Sequence, residues 1–168
     1  MELFSIPNFW LNYLTTDYLT TKKTTDYLTT KNNRMPRGLR NNNPLNIRRV
    51  AGTIWKGSLA EQTDREFVQF VTMEWGLRAA FCLLNTYRRK YQAVCVEDII
   101  TRWAPPTEND TRRYICDICR LTGFGGKERL TENDWPRLVA AMARIESEAI
   151  LSQETIEQGY KLYKNTNT

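Results

Sequence analysis

A chain of 168 residues that is 41% hydrophobic and carries a formal charge of +5 is long enough to bury one substantial core. It contains no histidine. This excludes histidine general bases, serine–histidine or cysteine–histidine nucleophile pairs, and histidine metal ligands. The modest positive charge suits an anionic partner such as nucleic acid or a bacterial cell wall, but it does not choose between them.

Residues 1–34 differ in composition from the rest of the chain. The segment 15–21 recurs as 24–30, and this period of nine residues matches no common solenoid unit. Two interpretations stay open: a low-complexity N-terminal extension, or translated upstream DNA before a natural start at Met35. We favour the second, because Met35 directly precedes the first segment with the character of a folded domain. We therefore predict that 1–34 is not part of the fold and that 35–168 forms a single domain.

From Met35 onward, the first predicted elements are one lobe and two helices. Residues 44–71 mix glycine, tryptophan and short apolar runs, and the alternation at 67–71 is typical of a strand. We expect a small β-hairpin or an irregular lobe there. Apolar residues at helical spacing then predict a helix over 73–91. A shorter helix is predicted over 96–103, because a pair of prolines follows it.

The C-terminal part predicts three more helices. Asn109, Asp110 and Thr111 are candidate N-caps for a helix that ends near Gly123. Two further helices are predicted at about 134–148 and 152–163. The predicted fold class is therefore mainly α, or α+β, with one small β lobe.

Four cysteines are too few for a disulfide scaffold in a chain of this length. Cys116 and Cys119 have the CxxC spacing, but a structural zinc site usually needs a second ligand pair, and none is spaced to supply it. On a helix, both would lie beside apolar neighbours. We predict reduced thiols, with Cys116 and Cys119 as small buried residues, and neither a metal nor another cofactor.

An asparagine-rich turn precedes the predicted lobe. Asn41, Asn42 and Asn43 stand directly before Pro44, and Asn46 follows. Asparagine side chains compete for the backbone and tolerate turn conformations, so this segment suits a polar loop better than a helix or strand. Carboxamides on a rigid turn can hold a sugar or a peptide. The alternative is an ordinary asparagine-rich turn with no ligand.

One carboxylate is a candidate catalytic group in the helix predicted at about 134–148. Glu146 follows an almost wholly apolar and small run from residue 138, which is interrupted only by Arg144. A carboxylate at the end of a core-facing helix is expected to be partly desolvated, which favours its protonated form and suits a general acid. Local sequence alone fits a solvated last turn better.

Several motifs resemble a family of phage and prophage proteins whose members are described as virion structural or lysozyme-like proteins. The resemblance covers nearly all of 37–160 and leaves out 1–34. It implies a lysozyme-like helical domain, association with a virion, and contacts with other virion proteins. The motifs that carry it lie at 38–47, 55–57, 64–70, 75–79, 103–106 and 108–114.

A more distant similarity is to bacterial glucosaminidases of lysozyme-like fold. In those enzymes a helix ending in Leu-Glu-Ser-Gly precedes an Asn-Leu-Phe-Gly-Ile loop, a Trp-x-Gly element, a phenylalanine-rich strand and a helix ending in tyrosine. The segment with Glu146 comes last here, which implies a circular permutation. Glu148 and Asn46 stand where the glucosaminidases have glycine. The other corresponding segments keep their order, at 43–47, 55–57, 67–70 and 75–91.

The resemblance implies a peptidoglycan-cleaving protein in which Glu146 protonates the glycosidic oxygen. Asp64 is the predicted second carboxylate, since glycoside hydrolases usually use two. A single acid also suffices if the substrate's acetamido group assists or if an anhydro sugar forms. The residues predicted to bind the substrate are Asn41, Asn42, Asn43, Asn46 and Trp55.

The alternative function is a non-catalytic virion structural or cell-wall-binding protein on the same scaffold, and whether the chain is an enzyme stays open. We expect peptidoglycan glycan strands and other virion proteins as partners, and neither nucleic acid nor a membrane. The N-terminus lacks the features of a signal peptide and no run reaches transmembrane length. We therefore expect synthesis in the bacterial cytoplasm, without a signal peptide, and association with the virion.

Overall fold

Six α-helices make up most of residues 35–166, which are the residues that the computed structural model describes. They belong to the second of the two units into which the chain divides, Pro36–Thr168. The predicted extension 1–34 lies outside the described residues. The helices are α1 (Arg37–Arg40), α2 (Met73–Tyr91), α3 (Val96–Trp103), α4 (Thr111–Thr122), α5 (Trp135–Ser147) and α6 (Gln153–Thr166), with a 3₁₀ turn at Glu132–Asp134.

The helices predicted from periodicity and capping are confirmed to within three residues. Asp110 caps α4, because its side chain accepts a hydrogen bond from the backbone N–H of Arg113 at 3.1 Å. Gly123 ends the same helix in the left-handed conformation, with φ of 74°. A mainly α fold is therefore what the local signals specify.

The lobe before α2 is irregular, and the predicted strand at 67–71 does not form. In the described residues of this lobe, β pairing is limited to two isolated antiparallel bridges, Arg48 with Phe67 and Ser58 with Phe70. The sequence predicted either a small β-hairpin or an irregular lobe for residues 44–71, and the structure has the irregular lobe.

Hydrogen bonds from the asparagine turn explain why no β ladder forms. The carbonyl of Val68 accepts from the side-chain amide of Asn43 at 2.8 Å, and that of Phe70 accepts from Asn42 at 3.0 Å. The backbone N–H of Phe70 donates to the carbonyl of Asn41 at 2.9 Å. Side chains and turn backbone thus take the groups that a neighbouring strand would otherwise pair.

In the core α2 packs against α5 and α6, and α3, α4 and the lobe also contribute buried apolar residues. Leu77 and Phe81 of α2 are fully buried. Gly159 allows α6 to approach α2, since a Cβ at this position would lie 2.6 Å from Cβ of Leu77. The ring of Phe81 meets that of Tyr160 edge-to-face, with centroids 5.1 Å apart. No helix among the described residues has the length and apolarity needed to cross a membrane.

The burial predicted for Cys116 is wrong. Cys116 is exposed and Cys119 is half-buried, and all four cysteines are free thiols. The buried face of α4 consists of Thr111, Tyr114, Ile118 and Thr122. Cys116 falls on the opposite face, three or four residues from exposed arginines.

Helix α5 ends in a strained position at Glu148. This exposed residue has φ of 51°, and the next N–H, from Ala149, donates to the carbonyl of Ala143 at 3.3 Å. Glycine is the usual residue at such a left-handed helix end. A side chain in this conformation costs about 1–2 kcal/mol relative to glycine. Glycine loses more backbone entropy on folding, so replacing the side chain by glycine recovers only about half of that cost.

We therefore expect Glu148→Gly to raise the free energy of unfolding by about 0.5–1 kcal/mol. Urea denaturation monitored by circular dichroism measures this change. Lys161→Gly, at an exposed position inside α6, is the control and should lower stability by about 1 kcal/mol. A loss of stability in both variants would contradict the argument.

Candidate functional site around Glu146

The carboxylate of Glu146 is half-buried in the last turn of α5 and is held at one oxygen. Its Oε1 accepts a hydrogen bond from Nε1 of Trp103 at 3.1 Å and another from the hydroxyl of Tyr114 at 2.9 Å. Its Oε2 accepts no hydrogen bond from residues 35–166. One oxygen thus fixes the orientation of the side chain and the other stays available to a ligand.

The two donors come from different helices. Trp103 is the last residue of α3 and Tyr114 lies in the first turn of α4. The loop between them is tied by a buried hydrogen bond from the hydroxyl of Thr111 to the carbonyl of Ala104. Burial raises the pKa of Tyr114 far above its ordinary value, and the negative charge of Glu146 raises it further. Tyr114 therefore stays protonated at neutral pH and remains a donor to Glu146.

The asparagine turn meets α5 beside this carboxylate. Nδ2 of Asn46 donates to the backbone carbonyl of Glu146 at 3.0 Å, across 100 residues of sequence. Asn46 has φ of 50°, a left-handed conformation that asparagine adopts more readily than most residues.

A second contact joins α1 to the same end of α5. A Cβ added at Gly38 would collide with the hydroxyl of Ser147. That hydroxyl is buried and has no hydrogen-bond partner among the described residues. The absence of a side chain at Gly38 thus lets α1, and the turn that follows it, approach the residue next to Glu146.

Asn43 organises the turn from within the core. It is fully buried, and its Nδ2 donates to the carbonyls of Ile47 at 3.0 Å and Val68 at 2.8 Å. Its Oδ1 accepts from the N–H of Ile47 at 2.9 Å. These bonds use the whole carboxamide, so this side chain has a structural role in the turn.

Asn41 and Asn42 are also bonded inside the protein. Nδ2 of Asn41 donates to Asp64 at 2.8 Å, and Oδ1 of Asn41 accepts from Gln69 at 3.3 Å. Asn42 has φ of 50°, and its carbonyl lies where a Cβ on Gly76 of α2 would stand. Of the four asparagines predicted to bind a substrate, Asn46 is the one in direct contact with Glu146.

Asp64 lies in a separate ionic network. Its two oxygens accept from Nε and Nη2 of Arg37, each at 2.7 Å, and Nη1 of the same arginine donates to Glu66 at 2.6 Å. Backbone N–H groups of Glu66 and Phe67 each donate to Oδ1 of Asp64 at 3.0 Å. The hydrogen bonds from Arg37 hold the pKa of Asp64 far below its ordinary value. This carboxylate is thus ionised and occupied by protein donors.

Trp55 lines a different surface. It is half-buried and borders an open cleft of about 930 Å³ in the irregular lobe, together with the exposed Val50 and Ile54. The lining of this cleft includes neither Glu146 nor the two aromatic residues bonded to it. Trp55 therefore lines a cleft to which Glu146 does not contribute.

Trp103 and Tyr114 are the functional candidates that the sequence did not single out as site residues. A tyrosine on the buried face of a helix needs a hydrogen-bond partner for its hydroxyl, and this was one signal for Tyr114, beside its place in the motif at 108–114. The identity of the partner depends on how α3, α4 and α5 meet, which local patterns do not contain.

Comparison with known proteins shows that the chain belongs to a family of phage proteins. It is 40% identical to protein P5 of Pseudoalteromonas phage PM2 over 117 residues, which cover 68% of this chain and 73% of that protein. No family model matches the chain. The predicted phage origin of the family is thereby confirmed.

Proposed function

We propose that the protein is associated with a phage virion and acts on the peptidoglycan of the host cell wall. Membership of a phage protein family supports the first part. The second part rests on Glu146, a half-buried carboxylate whose orientation is fixed by Trp103 and Tyr114. The net charge of +5 suits the anionic wall.

Glu146 is the proposed general acid for cleavage of the glycan strand. With Oε1 held by two donors, Oε2 carries the proton and gives it to the glycosidic oxygen as the bond to the anomeric carbon breaks. Water, or a hydroxyl of the same sugar, then bonds to the anomeric carbon and returns a proton to Glu146. Preorganisation of the acid lowers the barrier because no side-chain rearrangement accompanies the proton transfer.

The proposed fold is lysozyme-like and circularly permuted. Two positions that depart from the glucosaminidase pattern support this proposal. Asn46 and Glu148 replace glycines of that pattern, and both have the positive φ, 50° and 51°, that glycine adopts at no steric cost. Both positions therefore have a backbone conformation that glycine readily adopts.

Asp64 takes a structural role in this proposal and is not the second carboxylate. Its oxygens are bound by Arg37, by Asn41 and by two backbone N–H groups. A nucleophile or base must instead approach the substrate with a free lone pair. We propose that the acetamido group of the sugar or an anhydro-forming hydroxyl performs this step.

We expect Tyr114→Phe to lower the cleavage rate about tenfold, because it removes one charge-assisted hydrogen bond to Glu146. Tyr163→Phe, in the core beside Trp135, is the matched control. An unchanged cleavage rate for Tyr114→Phe would remove Tyr114 from the mechanism.

Incubation of the full chain with purified insoluble peptidoglycan tests the proposed function. Cleavage predicts soluble fragments with new reducing or anhydro ends, detected by chromatography and mass spectrometry. Protein that sediments with the wall and releases no fragments would reject the enzymatic part. Protein that neither sediments with the wall nor releases fragments would reject the wall as its target.

A non-catalytic virion component that binds the wall is the second candidate. Two observations favour it: the relationship to a phage protein, and the engagement of Asp64, the predicted second carboxylate, in an ionic network. The same sedimentation experiment distinguishes it, since this candidate predicts binding without release of fragments.

A further inference from the structure

A row of aromatic rings leads away from Glu146. It begins at Trp103, which donates to Glu146, and continues through Tyr87 to Tyr91. Successive ring centroids are 6.3 and 6.4 Å apart and meet edge-to-face. Trp103 and Tyr87 are half-buried, whereas Tyr91 is 50% exposed at the end of α2. The row therefore connects the candidate acid to the protein surface.

Arg102 holds the outer end of this row. Its guanidinium lies 3.5 Å from the centroid of Tyr91 and 5.9 Å from that of Tyr87. It is exposed and forms no ion pair with a carboxylate in the described part of the chain. Its N–H donors are thus available to carbonyl or carboxylate oxygens of a ligand.

An open cleft adjoins Tyr91 and Arg102. Its volume of about 540 Å³ lies within the range of small-ligand sites, which is about 300–1,000 Å³. The lining combines the tyrosine ring with groups that donate or accept hydrogen bonds. The polar residues of this lining are Gln92, Glu97, Asp98, Thr101 and Arg102.

We propose that the cleft at Tyr91 and Arg102 is a distal subsite for the glycan strand of peptidoglycan. This inference rests on the proposed function, because it takes the same polymer as the ligand of Glu146. An amino-sugar ring packs against Tyr91, whose rotamer Arg102 fixes, and its acetamido or lactyl oxygens accept hydrogen bonds from Arg102. The cleft adjoins the outer ring of the row and Glu146 binds the inner one, so a ligand that contacts both is a polymer of several sugars rather than a disaccharide.

Titration calorimetry on the full chain tests this subsite, with Glu146→Gln as the background to prevent cleavage. The probes are peptide-free glycan fragments of peptidoglycan that contain two or six sugars. We expect the hexasaccharide to bind more tightly than the disaccharide. Tyr91→Ala and Arg102→Ala should each weaken hexasaccharide binding about fivefold to tenfold and leave disaccharide binding unchanged.

Two control variants make the result specific. Arg120→Ala changes an exposed arginine of α4 and should not alter binding. Trp55→Ala changes the other cleft and should not alter it either. Equal loss for both fragments, loss with Trp55→Ala in place of Tyr91→Ala, or no binding of the hexasaccharide would each overturn the proposal. Length-dependent binding with no cleavage by the wild type would reject the acid role of Glu146 and leave the subsite standing.

Discussion

Glu146→Gln is expected to lower the rate of glycan cleavage by a factor of about 10²–10⁴, the usual contribution of a positioned general acid. Glutamine has the same shape, and its carbonyl oxygen can still accept from Trp103 and Tyr114, which now bind Oε1 of Glu146. It has no transferable proton at neutral pH. The rate should therefore fall while the fold and the affinity for peptidoglycan are kept.

Release of soluble fragments from purified wall, measured as initial rates, provides the readout. Glu148→Gln is the control, because it makes the same chemical change two residues away at an exposed position. It should keep the wild-type rate. Equal rates for wild type and Glu146→Gln would exclude Glu146 as the acid, and equal loss in both variants would point to a general effect of charge.

Asp64→Asn is expected to lower the free energy of unfolding by about 2 kcal/mol at pH 7. The side chain of Asp64 is only 8% exposed. An amide in its place turns one acceptor into a donor, which would face a donor of Arg37 or of Asn41. The variant therefore leaves a donor of Arg37 or of the buried Asn41 without an acceptor at the base of the asparagine turn. Urea denaturation measures the loss.

The pH dependence follows from the lowered pKa of Asp64, which has Arg37 as its first cause. A carboxylate with a depressed pKa in the folded state stabilises the protein above its ordinary pKa, here 3.8. That contribution is lost as the pH falls below this value and the unfolded chain binds the proton first. The stability of the wild type should thus fall between about pH 5 and pH 2, and that of Asp64→Asn should fall less steeply.

Glu66→Gln is the matched control for Asp64→Asn. Glu66 binds the same guanidinium, but its side chain is 58% exposed. An exposed ion pair contributes about 0–1 kcal/mol, so this variant should change stability little. Equal losses in the two variants would show that Asp64 contributes no more than a surface ion pair.

Local sequence predicted the helices because their determinants are local. The apolar spacing of 73–91, the cap at Asp110 and the glycine at Gly123 act within a few residues of chain. The lobe was predicted less well, because the alternation at 67–71 indicates which side chains are buried but not which groups form hydrogen bonds with the backbone. Asparagine side chains from 41–43 supply part of that bonding.

The candidate site also has a part that the sequence predicts and a part that only the tertiary structure decides. The sequence by itself determined that any acid–base chemistry must fall to residues other than histidine and that Glu146 lies at the end of a core-facing helix. The tertiary structure alone decided that Trp103 and Tyr114 hold this carboxylate, and that Asp64 pairs with Arg37. Those partners lie 27–43 residues apart in sequence, and their meeting depends on how whole helices and the irregular lobe pack. Short-range periodicity and capping carry no record of that packing.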